Sequence, residues 1–272
     1  MTLIVAHPAA DGMVFGSDSQ VTTGPVRTKG TKIRQLNDLA LWGASGEVAL
    51  IQRVAEKIED CEERDHPLAI LRDILAGHVK ESMEALIDID FRTQFAKDPD
   101  SMLQLHPGDF LFVEYRMDSC HTLHVTTPGV AEWVDGRACT GNGAVFAHAL
   151  LSKYADITMT RDKAKLLVYK VIEEAIEVGS WGVGPPIHIW DVSADGVHQA
   201  SPEEIDELGR DAARLRIQEV ELISKPKLRV ETTPPAPSQC PNAALSLAGR
   251  VAPLPRRSSH HAAKLTGAAV LG

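Results

Sequence analysis

The chain has 272 residues, with 28 Lys and Arg against 37 Asp and Glu and a formal net charge of −9, a length that accommodates one substantial core. Its charge is unevenly spread: Lys225 to Gly272 carries seven bases and one acid, which leaves net −15 on the preceding residues and argues against a nucleic-acid-binding body, since phosphate contacts need clustered Lys and Arg. No apolar run approaches the roughly 20 residues of a membrane span, and no charged-then-apolar leader precedes Thr2, so a cytoplasmic protein is expected.

In chain order, an initiator Met followed by a small residue is normally removed, which would leave Thr2 with a hydroxyl and a free α-amine on one residue. The ordinary α-amino pKa is about 7.7 to 8.0, so a nearby cation would bring that amine toward working pH, where it can take the hydroxyl proton. Residues 2–7 form an apolar run suited to a buried strand, Asp11-Gly12 is a hairpin turn signal, and a second run at 13–18 delivers Ser17, Asp18 and Ser19 at its end. Gln20 to Gly30 reads as a Thr- and Gly-rich loop. Strands at 32–36 and 39–44 follow, then the small-residue turn Ala44-Ser45-Gly46-Glu47.

Helical spacing covers 47–62 and 68–89, with Asp65 as expected cap and Pro67 near the first helical position. A surface connection spans 90–108, and the period then changes to two at 110–115 and 121–125, a hairpin. His121 and His124 look like a metal pair, but a separation of three on a strand sends them to opposite faces, so no metal is expected. After a strand at 130–134, Gly141-Asn142-Gly143 opens a helix over 144–154. It fails as a dinucleotide loop because Phe146 stands where the third glycine would be. A helix at 160–179, a glycine-dense segment 180–186, a strand at 187–192 and a helix from Ser201-Pro202 to about Ser224 complete the body. Residues 225–272 are Pro-rich and basic, a predicted disordered extension. Cys61, Cys120, Cys139 and Cys240 contain no Cys-x-x-Cys pair and read as reduced thiols.

Thr2, the Asp11-Gly12 turn, the strand into Asp18, the Thr-x-Gly loop, Lys32-Ile33 and the turn at Ala44 to Gly46 together resemble the proteasome β-subunit family and its bacterial threonine-peptidase relatives. These are N-terminal-nucleophile (Ntn) hydrolases, and the resemblance covers residues 2 to 200 in element order. It implies Thr2 as nucleophile, Asp18 and Lys32 as its catalytic partners, and an oxyanion amide in the small turn, with Ser45 the first choice and Gly46 the alternative. Ser19, Asn142 and Ser180 fall at supporting positions. The sequence departs from the family there: Asn142 replaces a serine, Ser180 an aspartate and Val183 a serine. The fold implied is α+β, a four-layer α-β-β-α sandwich of two antiparallel sheets, in a domain spanning 1–224. The function implied is threonine-type peptide hydrolysis without a cofactor, on a polypeptide or peptide substrate, inside a homo-oligomeric ring. The same resemblance admits an ATP-dependent unfoldase as partner. A scaffold subunit of the same fold and a small-molecule Ntn amidase are the alternative readings.

Overall fold

A computed structural model describes residues 2–23, 26–90, 92, 107–154, 158–179 and 182–224. The chain divides into two units, Met1–Lys225 and Pro226–Gly272, and the architecture below belongs to the first. Its strands in chain order are β1 (Ile4–Ala9), β2 (Gly12–Asp18), β3 (Gln20–Thr23), β4 (Val26–Lys29), β5 (Ile33–Asn37), β6 (Ala40–Gly46), β7 (Gly108–Arg116), β8 (Ser119–Thr126), β9 (Val130–Trp133), β10 (Ala138–Thr140), β11 (Ile187–Ser193) and β12 (Gly196–Gln199). The α-helices are α1 (Val48–Glu59), α2 (Leu68–Ala85), α3 (Ala144–Leu151), α4 (Arg161–Glu177) and α5 (Pro202–Ser224).

The strands form two antiparallel five-stranded sheets, ordered β10-β1-β2-β11-β12 and β5-β6-β7-β8-β9. Period-two alternation sorts their side chains into three cores. On the first sheet Leu3, Val5 and Val14 turn toward α3 and α4, meeting Ala147, Val168 and Ile172. Ile4, Ala6, Met13 and Phe15 turn the other way and meet Ile33, Leu41, Leu111 and Val113 of the second sheet. The far side of that sheet, with Trp42, Phe110 and Phe112, packs on α1 and α2 through Leu50, Val54, Leu71 and Leu75. Strands apolar on both faces are thus explained, because each sheet has a partner on either side. Complete burial of a Leu or Phe contributes roughly 1.5–3 kcal/mol, and these three layers hold the two sheets to the helices.

Local features locate the element ends. The turn aspartate Asp11 accepts the Arg161 backbone N–H at 2.8 Å, so the β1–β2 turn caps α4. Ser201 and Glu204 exchange side-chain-to-backbone bonds at 3.3 and 2.7 Å, a capping box that starts α5. Helix α2 departs from expectation: Pro67 is its N-cap and the Glu114 carboxylate accepts the Leu68 N–H at 3.4 Å, so Asp65 does not serve there. The Gln20 to Gly30 segment also departs, since β3 and β4 pair as a separate hairpin, with Val21 opposite Thr28. Its polar, exposed strand β4 carries no apolar alternation to announce it. His121 is exposed against Trp133, while His124 lies by Asp109, so the two do not converge. Among the described residues, no helix is long and apolar enough to cross a membrane. Cys61, Cys120 and Cys139 are free. Most of the expected connection at 90–108, the loop serine Ser180, Cys240 and the extension from 225 onward lie outside the described residues; Asp90 closes a π-helical turn and Gly108 begins β7.

Candidate active site

The site is built around the carboxylate that ends β2. Asp18 is fully buried. Its Oδ1 accepts the Leu3 N–H at 2.9 Å and the Lys32 ammonium at 2.6 Å. Its Oδ2 accepts the N–H groups of Gln20 at 3.1 Å and Gly184 at 3.0 Å. A carboxylate out of water is tolerated only when it is paired and its lone pairs are filled, and four donors meet that requirement. They also tie the chain's first strand, the Lys32 segment and the Gly184 loop to one point. Lys32 is itself buried, and burial pushes its ammonium below the usual lysine range while Asp18 pulls in the opposite direction.

Thr2 is only 6% exposed, unusual for a residue so near a chain end. Its carbonyl oxygen accepts the Gly143 N–H at 3.2 Å. Two glycines make that approach possible. A Cβ on Gly141, whose φ is +93°, would lie 2.1 Å from the Thr2 oxygen, and one on Gly143 would lie 2.9 Å from the Leu3 Cβ. The glycines that imitate a phosphate loop in sequence therefore serve to fold a turn over Thr2. Asn142 between them is exposed, and its side chain makes no hydrogen bond among the described residues.

Thr2 and Lys32 share the wall of a cavity of about 290 Å³, together with Thr31, Ala44, Gly46 and Val48. The β3 residues Val21 and Thr22 close another side, so the hairpin that the sequence concealed shapes this cavity. Three other cavities are larger, among them one of about 350 Å³ lined by Tyr154, Lys170 and Glu174. One of about 740 Å³ beside β8 and β9 holds Cys120, whose thiol burial pushes up in pKa, and one of about 470 Å³ lies between α4 and α5 among Asp162, Lys165 and Glu207. None of the three sets an aliphatic hydroxyl beside an ammonium bound to a fully buried carboxylate, so chemistry rather than size singles out the Thr2 cavity.

The pleat of β6 distinguishes Ser45 from Gly46. Ser45 directs its buried hydroxyl between the sheets to Thr140, 2.9 Å away, whereas Gly46 borders the cavity. Gly46 has φ +131°, and a Cβ there would stand 2.0 Å from the Pro107 oxygen. The next amide, Glu47 N–H, donates to that same oxygen at 2.6 Å. Of the two turn residues, Gly46 is the one at the cavity. Ser19 is fully buried, and its hydroxyl donates to the Pro186 oxygen at 2.6 Å, holding the loop whose Gly184 N–H reaches Asp18. Val183 is buried against Leu3 and the α4 side chains, with no polar part to play.

Sequence reasoning missed a second layer. Ser17 and His188 face one another in register on β2 and β11. Ser17 Oγ and His188 Nδ1 are both buried without a hydrogen-bond partner among the described residues. Burial lowers the His188 pKa; Asp18 acts against that shift and Lys32 with it, which places the imidazole within reach of the pair's field. No local pattern signals this, because the two residues meet only through strand pairing.

No family model matches the sequence, and no curated protein sequence matches it. Solved structures do match. Anbu (ancestral beta-subunit) from Yersinia bercovieri has a TM-score of 0.65 at 13% identity, over 84% of this chain and 99% of its own. A mutant of Anbu from Hyphomicrobium sp. strain MC1 has a TM-score of 0.62 at 14% identity, over 84% of this chain and 100% of its own. At such identities the likeness is one of fold, and the fold is the proteasome-like α-β-β-α sandwich.

Proposed function

We propose that this chain is a threonine-type Ntn hydrolase that cleaves peptide bonds from within a homo-oligomeric ring. The observation that carries the reading is the shared cavity wall of Thr2 and Lys32, with Lys32 pinned by a carboxylate that also binds the amide following Thr2. The fold likeness to an ancestral beta-subunit supports it.

Removal of Met1 frees the Thr2 amine, and the neighbouring Lys32 ammonium disfavours a second positive charge there, holding the amine as a base. The amine takes the hydroxyl proton as Oγ1 attacks the peptide carbonyl. Negative charge grows on the carbonyl oxygen, which faces Gly46; a preorganised donor at such a position is typically worth about 2.7–4 kcal/mol. Collapse breaks the C–N bond, the leaving amine takes the proton from the Thr2 nitrogen, and an acyl ester remains. Water, deprotonated by the same nitrogen, hydrolyses that ester and returns the hydroxyl. In this reading residues 1–224 form the hydrolase domain, 225–272 are an extension, and an ATP-dependent unfoldase is the class of partner that would feed folded substrates.

Intact mass tests the first requirement, since loss of Met1 must precede chemistry. A β-lactone probe then adds its full mass to the wild type, and Thr2→Ala abolishes the adduct without lowering Tm. An adduct that persists in Thr2→Ala removes Thr2 from the mechanism. The exposed Asn142, without a side-chain hydrogen bond among the described residues, favours one second reading, a scaffold subunit that keeps the fold without the chemistry; a chain lacking Met1 that takes no label would establish it. Peptide and small-amide substrates compared on the unlabelled wild type separate peptidase from amidase.

A further inference from the structure

The sheet that carries Thr2 and the sheet that carries Gly46 face each other mostly through apolar side chains such as Ile4, Phe15 and Leu111. Such contacts are non-directional and tolerate small slides. Beside the cavity, two buried hydroxyls interrupt them. Thr140 ends β10, paired with Ile4 of β1, and is followed by the glycine that folds over Thr2. Ser45 sits on β6 immediately before Gly46. Their hydroxyl oxygens are 2.9 Å apart across 95 residues of sequence.

The proton arrangement follows from the third member. Thr140 donates its single hydroxyl proton to Asp109 Oδ2 at 3.2 Å. Thr140 Oγ1 is therefore left as acceptor, and Ser45 is the donor to it. Asp109 lies opposite Ser45 on β7, and its other oxygen is 3.3 Å from His124 Nε2. A directed chain thus runs from the Gly46 turn, through Thr140 beside the Thr2 strand, back to the second sheet.

We propose that Thr140 is a positioning residue: its hydroxyl, oriented by Asp109, fixes Ser45 and thereby sets the Gly46 amide against Thr2 across the gap between the sheets. This inference rests on the reading of Thr2 as nucleophile. A displacement of about 1 Å at a reacting centre can cost on the order of 10²-fold in rate, so losing one directional bond at this point acts on the acylation step rather than on binding.

The experiment follows β-lactone acylation of the processed protein by intact mass, separating the limiting rate kinact from the half-saturation constant KI. Thr140→Val, which keeps the shape and deletes the hydroxyl, is expected to lower kinact at least ~10-fold with KI within about twofold of wild type. Thr140→Ser restores the hydroxyl and is expected to return kinact to within about threefold. Ser45→Ala breaks the same bond from its other end and gives the same loss should Thr140→Val fold poorly. The double variant falls no further than Thr140→Val, because the Ser45–Thr140 bond is already absent there. A wild-type kinact in Thr140→Val, a Thr140→Ser that is equally impaired, a loss confined to KI, or strictly additive losses would each overturn the proposal. A wild type that takes no label at all overturns the nucleophile reading, and this one with it.

Discussion

Replacing Asp18 should cost more stability than replacing Lys32, although the two form one ion pair. In Asp18→Asn the side chain keeps one acceptor oxygen where the carboxylate had two. If that oxygen stays with Leu3 N–H and Lys32, the new amide NH₂ faces the Gln20 and Gly184 donors that Oδ2 now accepts at 3.1 and 3.0 Å. Each buried donor left without an acceptor costs about 1–3 kcal/mol, so the pair of conflicts comes to about 4 kcal/mol, within the range for breaking a buried charge pair. Lys32→Met removes the charge-assisted bond to Asp18, worth about 1.5–3 kcal/mol, but leaves the carboxylate with three backbone donors. Its expected cost is about 2 kcal/mol. For a domain of this size a 1 kcal/mol loss shifts Tm by about 2–4 °C, so the two variants should separate by several degrees. Thermal and urea unfolding read by intrinsic tryptophan fluorescence, to which the buried Trp42 contributes, at matched protein concentration, would measure both. A Lys32→Met that costs as much as Asp18→Asn would refute the argument that backbone donors, more than the ammonium, hold this carboxylate in the core.

Two further outcomes follow. Gly46→Ala forces a Cβ to within 2.0 Å of the Pro107 oxygen at φ +131°; backbone strain of about 1–3 kcal/mol and displacement of the turn should lower Tm and cut acylation at least ~100-fold, and normal acylation would remove Gly46 from the oxyanion site. Burial lowers the pKa of His188, so the folded state binds fewer protons than the unfolded chain below the ordinary histidine value of about 6.5. Stability is then complete above that value and is lost as pH falls through it toward the folded-state pKa. His188→Gln should flatten this part of the Tm profile between pH 7.5 and 5, and an unchanged or steeper slope would contradict the assignment.

The β1–β2 hairpin was legible in the sequence because its signals are local: an Asp-Gly turn between two apolar runs fixes the register that carries Asp18 to the strand end. The four-layer fold was implied by the family resemblance together with the element order that the chain shares with it. Asp18 and Lys32 stand only 14 residues apart, and the structure does bring them together. The β3–β4 hairpin was hidden because its strands are polar and short. Choosing between Ser45 and Gly46 required the pleat of β6 and a backbone angle, neither of which composition encodes. Thr140 and Asp109 escaped altogether, since strands far apart in sequence must pair before their hydroxyl and carboxylate meet, and the same holds for Ser17 beside His188.

The placement of Thr2 has a practical corollary for anyone handling this protein. The strand it leads is the second of five and is flanked on both edges, by β10 and by β2, and its leading carbonyl is already bonded to Gly143. Whatever is joined ahead of Thr2 therefore starts at the wall of the cavity instead of in open solvent. On the proposed reading, purification handles and fluorescent fusions belong at the opposite terminus, because any residue left ahead of Thr2 ties its nitrogen up in an amide.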